Sequence, residues 1–437
     1  MTRFRDVNDV VEWGLCSGCG ACKYACSEGA VSLVNIEDQG IRPIISKTDC
    51  TTCSSCVDVC PGVHIDAPAM TGSAAWRETA TEEFGSALEI WEGYASDPEV
   101  RHSASSGGAL SAMALYCLEN EGMDSVIHTG DDATRPWLNA TVRSRDRADI
   151  LTTTGSRYAP ASPCDRLDEI EDSDAPCVFI GKPCDCAAVA RARATRPTLD
   201  ANLGLTMSFF CAGTPSTKGT LELLESLEVS REGMTGLRYR GKGWPGVFQP
   251  ESEGIKESPS MSYQESWGRL NSYRPFRCHL CPDGLGALAD ISCGDSWHEY
   301  DGDGEGHNPG RSLVVVRTER GRKLLHAAMD AGYLTLEPTD AAAVLRAQPG
   351  LLARRRVLFG RLLAMWLLRV PIPKYTGFYL RKSWLKAPLN YQVRSVLGTM
   401  RRVVSRRLWR PKALPEVALN LAAVAPAPAQ SETNTPV

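Results

Sequence analysis

Short apolar runs separated by polar and glycine-rich loops recur along most of the chain and predict a mixed α/β fold. Near the N-terminus, residues 31–36 and 40–45 have the pattern of two short strands. Further on, residues 177–180 (CVFI) and 205–210 (LTMSFF) are apolar runs typical of buried strands, and each leads through a short loop into a helical pattern. Such runs alternate with helical stretches between residues 87 and 330, which predicts a mixed sheet covered by helices.

Two cysteine runs near the N-terminus have the spacing of iron-sulfur ligands. Each has the form Cys-x2-Cys-x2-Cys-x3-Cys, and a proline follows the second. In proteins with two clusters and this spacing, three cysteines of a run hold one 4Fe-4S cluster and the fourth holds the other. The first expected ligand set is Cys16, Cys19, Cys22 and Cys60, and the second is Cys50, Cys53, Cys56 and Cys26.

A pair of zinc sites is the alternative for the same cysteines. Zinc prefers four ligands in two pairs, which leaves the extra x2 step of each run unexplained. The spacing therefore favours iron-sulfur clusters and electron transfer. A zinc-stapled interaction protein is the corresponding non-enzymatic alternative.

Four later cysteines lie in loops that we expect to converge. Cys184 and Cys211 follow the two buried strands, and sites in open α/β sheets collect at the carboxyl ends of strands. Cys278 and Cys281 form a further x2 pair. We expect these four side chains to hold a third 4Fe-4S cluster, and buried structural cysteines are the alternative.

Cysteine usage and hydropathy indicate a cellular compartment. The chain has 437 residues and 17 cysteines, an odd count clustered at metal spacing, which favours a reducing environment over a disulfide scaffold. The N-terminus lacks the apolar core of a signal peptide, and no stretch reaches the roughly 18 apolar residues of a membrane span. We therefore expect a cytoplasmic protein.

The net charge of −4 is small, but the charged residues are unevenly distributed along the chain. Residues 351–415 carry 16 of the 48 Lys and Arg and none of the 52 Asp and Glu. Residues 354–370 (RRRVLFGRLLAMWLLRV) predict one amphipathic helix packed on the body. The basic, aromatic stretch after Tyr375 suits anionic lipid headgroups, so we expect peripheral contact with the cytoplasmic face of a membrane. No recognised nucleic-acid-binding module accompanies it, and we expect no nucleic-acid partner.

Short motifs follow the cysteine runs in a definite order. They are SSGG at 105–108, GSRY at 155–158, GKPC at 181–184, FC at 210–211, GKGWPG at 241–246, CHLC at 278–281 and ADI at 289–291. In this order, over roughly residues 10 to 375, they resemble the family of coenzyme F420 hydrogenase/dehydrogenase β subunits. The resemblance implies an FAD-binding domain with its own 4Fe-4S cluster, fed by the ferredoxin-like clusters. It also implies hydride exchange with coenzyme F420 or an unidentified reducible substrate.

The resemblance and local chemistry together indicate residues that contact the flavin. The serines before Gly108 are placed to cap a helix, whose N-terminal N–H groups favour the FAD pyrophosphate. Arg157 is expected against phosphate, Tyr158 against an aromatic ring and Trp244 as a stacking face in a flexible lid; an ordinary loop and a packing anchor are the alternatives. No catalytic residue is assigned. The full predicted set is Ser105, Ser106, Gly107, Gly108, Ser156, Arg157, Tyr158, Lys182, Trp244 and Asp295.

These observations predict four segments. We expect a bacterial-type two-cluster ferredoxin module at 1–70, an FAD-binding and catalytic α/β domain at 87–345, a basic amphipathic segment at 346–415 and a disordered tail at 416–437. The expected function is that of an iron-sulfur flavoprotein oxidoreductase with a ferredoxin-type or deazaflavin electron donor. A relay subunit of a larger dehydrogenase complex, without its own substrate pocket, is the alternative. The terminal substrate stays open.

Overall fold

The computed structural model describes residues 4–67, 83–255, 257–297 and 309–415, so the predicted tail at 416–437 lies outside the described residues. The strands are β1 (Val31–Ile36), β2 (Gly40–Ile45), β3 (His64–Asp66), β4 (Glu89–Ala95), β5 (Val126–Asp132), β6 (Arg135–Ser144), β7 (Cys177–Gly181), β8 (Leu203–Phe209), β9 (Met234–Arg238), β10 (Val247–Ser252), β11 (Met261–Ser262), β12 (Ile291–Asp295), β13 (Ser312–Val316), β14 (Leu334–Pro338) and β15 (Lys374–Thr376).

The helices lie between and after these strands. They are α1 (Val7–Glu12), α2 (Ala21–Tyr24), α3 (Ser55–Asp58), α4 (Pro98–Ser103), α5 (Ala109–Glu119), α6 (Arg147–Thr152), α7 (Asp168–Glu171), α8 (Pro183–Arg193), α9 (Pro197–Asn202), α10 (Thr217–Ser226), α11 (Tyr263–Leu270), α12 (Phe276–His279), α13 (Glu319–Asp330), α14 (Ala341–Ala347), α15 (Pro349–Arg356), α16 (Leu358–Leu367), α17 (Leu380–Leu385) and α18 (Leu389–Ser405).

An eight-stranded mixed sheet forms the centre of the protein, with the strand order β14-β4-β13-β12-β8-β7-β5-β6. Within it, β5, β7, β8 and β12 run parallel, and the other neighbours are antiparallel. The central parallel strand β7 (CVFIG) is apolar along its length because both faces of the sheet are covered there. Val178 and Leu205 pack with α5 and α13 on one face, and Phe179 packs with α8 on the other. The predicted mixed α/β fold is confirmed.

The N-terminal region repeats one local structure. Each cysteine run leads into a short helix, α2 or α3, and the predicted strands at 31–36 and 40–45 are confirmed as the antiparallel pair β1 and β2. Gly18 and Gly20 have φ of 71° and 90°, and the equivalent residues of the second run, Thr52 and Ser54, have φ of 58° and 69°. Both runs therefore bend through the same left-handed turns, although only the first uses glycine.

The C-terminal segment packs back on the N-terminal region. Strand β15 pairs in parallel with β3, and Leu358 and Leu362 of α16 share a core with Val10 and Leu15. No helix in the described part of the chain has the length and apolar content that crossing a bilayer requires.

The prediction of one continuous helix over residues 354–370 is wrong. Helix α15 ends at Arg356, and α16 begins at Leu358. Arg354 donates to the carbonyls of Ala212 (2.7 Å) and Cys211 (3.0 Å), and Arg361 donates to a carbonyl of α12. The pattern places these arginines on one helical face, but it contains no information on the carbonyls that bind them.

Candidate functional site

The first expected cysteine set surrounds a small cavity. Cys16, Cys19, Cys22 and Cys60 all line it and are all buried. Burial, followed by the charges of the other three cysteines, raises the pKa of Cys22 well above its ordinary value. The Gly18 N–H donates to Cys16 Sγ over 3.3 Å. The structure thus brings the last cysteine of the second run to the first three of the first run, as the expected exchange requires.

The second expected set lies closer to solvent. Cys53 is exposed, whereas Cys26, Cys50 and Cys56 are partly buried. Burial raises the pKa of Cys56, and the nearby charges of Asp6, Cys53 and Cys26 add to this effect. Cys26 of the first run therefore lies near cysteines of the second run.

The third expected set also surrounds one cavity. Cys184, Cys211, Cys278 and Cys281 line it, although they come from three separate parts of the chain. Burial, and then the charges of Cys278 and Cys281, raise the pKa of Cys211 to about 12. Parallel neighbours β7 and β8 deliver the first two cysteines just past their carboxyl ends, and α12 and the loop after it supply the other two.

The donor chemistry of all three sets is that of 4Fe-4S ligands, four cysteines each. Among the described residues, no group of three or more His, Cys, Asp or Glu side chains is close enough to hold a single metal ion. A cubane cluster instead distributes its thiolates over four iron atoms, so its four ligands need not converge on one point.

Arg277 is a buried cation between the first and third sets, and sequence reasoning missed it. Its side chain is 2% exposed, and Nη2 donates to the Pro61 carbonyl over 3.0 Å. Its Nε and Nη1 have no acceptor among the described residues. Burial opposes its charge, but Tyr375 and then the cysteine charges hold the pKa of Arg277 above its ordinary value. The sequence feature that could have identified Arg277 is its position directly before Cys278.

A larger cavity of about 230 Å³ lies at the carboxyl ends of β7, β8 and β12. This is the edge at which open α/β sheets bind ligands. Gly107 and Trp244 do not line the cavity, but they lie in segments that border it. Eight of the ten predicted flavin contacts line it, namely Ser105, Ser106, Gly108, Ser156, Arg157, Tyr158, Lys182 and Asp295.

The serines before α5 do not cap that helix, so this prediction is wrong. The cap position is Gly108, with φ of 81° and no side-chain hydrogen bond. Ser105 Oγ accepts from the N–H of Ser156 instead, and the Ser106 carbonyl accepts from Ser312 Oγ. These hydroxyl contacts hold the loop against two neighbouring segments. The local sequence does not reveal them, because their partners are distant in the chain.

The Arg157 guanidinium is bound to the protein. Its Nε donates to Asn139 Oδ1 (2.6 Å), and its Nη1 donates to the Leu237 carbonyl (2.9 Å). Its Nη2 donates to the carbonyls of Pro136 (2.5 Å) and Leu138 (3.1 Å). Four of its five N–H groups therefore have acceptors within the protein, and we expect the phosphate contact to fall to other groups.

Arg240, which sequence reasoning also missed, is a buried cation of the large cavity. Its Nη1 and Nη2 donate to both oxygens of Asp295 over 2.9 and 2.7 Å, and Nη2 also donates to the Ser105 carbonyl over 2.6 Å. Burial would lower the pKa of Arg240, but Asp295 raises it well above its ordinary value. Trp244 is 5% exposed and donates from Nε1 to Asp295 Oδ1 over 2.9 Å, so it is a packed anchor and not the exposed face of a lid.

Lys182 is a third buried cation, at the border between the large cavity and the third cysteine set. Its Nζ lies 2.7 Å from Asp185 Oδ2 and donates to the Ala161 carbonyl over 3.1 Å. Burial opposes its charge, but Asp185 and then Cys184 hold the pKa of Lys182 above its ordinary value. The Lys182 ammonium is therefore held by protein groups and not by solvent.

The three cavities adjoin one another in a row. Ser17 and Gly18 line both the cavity of the first cysteine set and the cavity of the third set. Ala161, Cys211 and Gly213 line both the cavity of the third set and the large cavity. The row therefore runs from the first cysteine set through the third set to the large cavity.

Family models match most of these regions. Residues 90–167 match the N-terminal part and residues 175–342 the C-terminal part of the coenzyme F420 hydrogenase/dehydrogenase beta subunit, which together cover more than half of the chain. Residues 15–62 match a 4Fe-4S dicluster domain.

Curated relatives have low identity over long alignments. The chain is 25% identical over 333 residues to a coenzyme F420-dependent sulfite reductase of Methanocaldococcus jannaschii; this covers 74% of the chain and 47% of the relative, so the chain spans about half of that protein. It is 24% identical over 263 residues to the coenzyme F420 hydrogenase subunit beta of Methanococcus voltae, covering 59% of the chain and 86% of the relative. It is 22% identical over 343 residues to an F420H2 dehydrogenase subunit of Methanosarcina mazei, covering 76% of the chain and 87% of the relative.

Proposed function

The chain belongs to the family of coenzyme F420 hydrogenase/dehydrogenase β subunits, and we propose that it is an iron-sulfur flavoprotein oxidoreductase that exchanges electrons between three 4Fe-4S clusters and FAD. The observation that carries the proposal is the row of adjoining cavities, two of which are lined by four cysteines each. Adjoining sites keep each electron transfer short.

The second cysteine set is the proposed point of electron exchange with a partner. Cys53 is exposed, whereas the first set is buried. A ferredoxin-type donor therefore meets the chain near Cys53, and electrons continue through the first and third sets. A deazaflavin donor, which delivers a hydride, would meet the flavin instead. A bound cluster transfers single electrons and a bound flavin exchanges two, which reconciles a one-electron chain with a hydride carrier.

The protein side chains supply the electrostatics of this route. Arg277, Lys182 and Arg240 are buried cations placed along the row of cavities. Each favours negative charge on the group held beside it, because a charge interacts strongly where water is excluded. The backbone around Gly107 and Gly108, with φ of 70° and 81°, approaches the large cavity closely, and we assign the FAD pyrophosphate to this turn.

The hydride acceptor is proposed to be coenzyme F420 or a related reducible substrate. Relatives named for F420 hydrogenase and F420H2 dehydrogenase subunits support this choice and also favour work inside a larger dehydrogenase complex. We further propose a cytoplasmic setting, where thiols stay reduced, with peripheral contact between the basic C-terminal segment and an anionic membrane.

Anaerobic purification followed by cofactor analysis tests the proposal. We expect a brown protein with acid-labile sulfide, about twelve iron atoms per chain and released FAD. Stopped-flow mixing is then done separately with reduced coenzyme F420 and with reduced ferredoxin. The one that reduces the flavin is the donor. A colourless protein without flavin contradicts the proposal, and flavin reduction only in the presence of a partner subunit identifies a relay subunit.

A further inference from the structure

The last helix, α18, presents an apolar face to solvent. Leu389, Val393, Leu397 and Val404 are 73%, 46%, 59% and 59% exposed. On an ideal helix these four positions fall within an arc of about 80°. We call this set the apolar stripe. Burying side chains of this kind is favourable, so the stripe is costly to leave in water.

The face of α18 that packs on the body is smaller and more polar than the stripe. Ser395, Thr399 and Val403 are its buried positions. Ser395 Oγ accepts from Trp384 Nε1 over 3.1 Å. The same hydroxyl packs so closely against Gly360 of α16 that a Cβ on residue 360 would clash with it. A surface helix of a soluble domain normally buries its apolar side and exposes its polar side. Helix α18 buries Ser395 and Thr399 and leaves the four apolar side chains of the stripe exposed, which indicates that something covers the stripe.

Positive charge borders the stripe on the side away from the body. Arg394 and Arg401 fall about 40° to 60° beyond its edge on the ideal helix, and both are exposed. Arg406, Arg407 and Arg410 follow the helix and are also exposed. No Asp or Glu occurs between residues 351 and 415 to offset them.

We propose that α18 docks in the plane of an anionic lipid bilayer, with the apolar stripe in the acyl-headgroup boundary and Arg394 and Arg401 against lipid phosphates. An apolar stripe beside a basic one is the pattern of helices that lie in a membrane interface. A second copy of the chain is a poor occupant, because a two-fold contact would bring the same basic surface against itself. The inference rests on the peripheral membrane contact proposed above and names the surface that makes it, and it is independent of the redox proposal.

Sedimentation of the full-length chain with lipid vesicles tests this docking. We expect the protein to pellet with vesicles of phosphatidylcholine and phosphatidylglycerol, to stay in solution with phosphatidylcholine alone, and to be released by salt. Combined Leu389→Asn, Val393→Asn and Leu397→Asn changes should weaken binding at least about tenfold, and Arg394→Gln with Arg401→Gln by about tenfold. The matched control is Ile255→Asn, an equally apolar side chain that is 53% exposed far along the chain from α18.

Several outcomes overturn the docking. Failure to pellet with anionic vesicles does so, as does equal binding to neutral vesicles or unchanged binding by the stripe variant. Loss of a solution dimer in the stripe variant, without vesicle binding by the parent, assigns the face to a second copy. Binding that requires removal of residues 416–437 assigns it to the tail. An unchanged melting temperature shows that each variant is folded, and cofactor reduction is measured separately, so failure of the redox proposal leaves this result intact.

Discussion

Arg277 Nη2 donates a hydrogen bond of 3.0 Å to the backbone carbonyl of Pro61, 216 residues away in sequence. The bond joins the residue after Cys60 to the residue before Cys278, and so it connects the first and third cysteine sets. The other two guanidinium nitrogens have no acceptor among the described residues. A fixed positive charge between two electron-accepting sites lowers the cost of adding an electron to either.

Replacing Arg277 by Gln should therefore lower the reduction potentials of the first and third clusters. We expect shifts of about 50 to 100 mV, the size of one partly screened unit charge at close range. A redox titration followed by electron paramagnetic resonance measures them. Arg269→Gln, which removes an exposed arginine paired with Glu265, is the matched control and should leave the potentials unchanged. Equal potentials in the Arg277 variant and the control would contradict this role.

Replacing Cys211 by Ser should remove one cluster and spare the others. Iron content should fall from about twelve to about eight atoms per chain, because the third cysteine set is separate from the N-terminal module. Anaerobic iron and sulfide analysis provides the measurement. Cys117→Ser, at a buried cysteine of α5 outside the three sets, is the control and should keep all the iron. Full iron content in the Cys211 variant would contradict the assignment of Cys211 as a ligand of the third cluster.

Asp295→Asn should destabilise the flavin domain and reduce its bound FAD. The change leaves Arg240 buried without its carboxylate, a loss of about 3 kcal/mol or more. Thermal unfolding and the flavin released per chain report the two effects. Glu265→Gln breaks the exposed pair with Arg269 and should cost less than about 1 kcal/mol. Similar melting temperatures for the two variants would show that the Arg240 pair is not structural.

His128 should make stability fall as the solution becomes acidic. Burial lowers its pKa to about 4, and its Nε2 lies 2.8 Å from Ser144 Oγ. In the unfolded chain the pKa of a histidine is about 6.5, so between these values only the unfolded state gains the proton. Folding free energy is then lost as pH falls from about 6.5 towards 4, by about 3 kcal/mol in total. Melting temperatures across this range should fall less steeply in His128→Gln, and parallel curves would contradict the mechanism.

Local patterns were sufficient for the elements and for the cysteine sets. The strands at 31–36 and 40–45 and the buried strand from Cys177 have the predicted positions, because apolar periodicity reflects which faces a sheet covers. The spacing of the two N-terminal runs sufficed to predict that Cys60 joins the first run, since that spacing is itself the geometry of a loop around a cluster. The family resemblance likewise named eight of the residues around the large cavity.

Tertiary structure alone decided the charges around these sites. Arg240, Arg277 and Arg354 have no periodicity or motif that separates them from surface arginines, yet each is buried and bonded to groups far away in the chain. Trp244 and Arg157, which looked like ligand contacts, are instead held by Asp295 and by backbone carbonyls. Sequence by itself determined which runs form strands, and its cysteine spacing predicts which residues supply sulfur, because both patterns depend on neighbours in the chain. Which cations face the cavities depends on partners brought together only by folding.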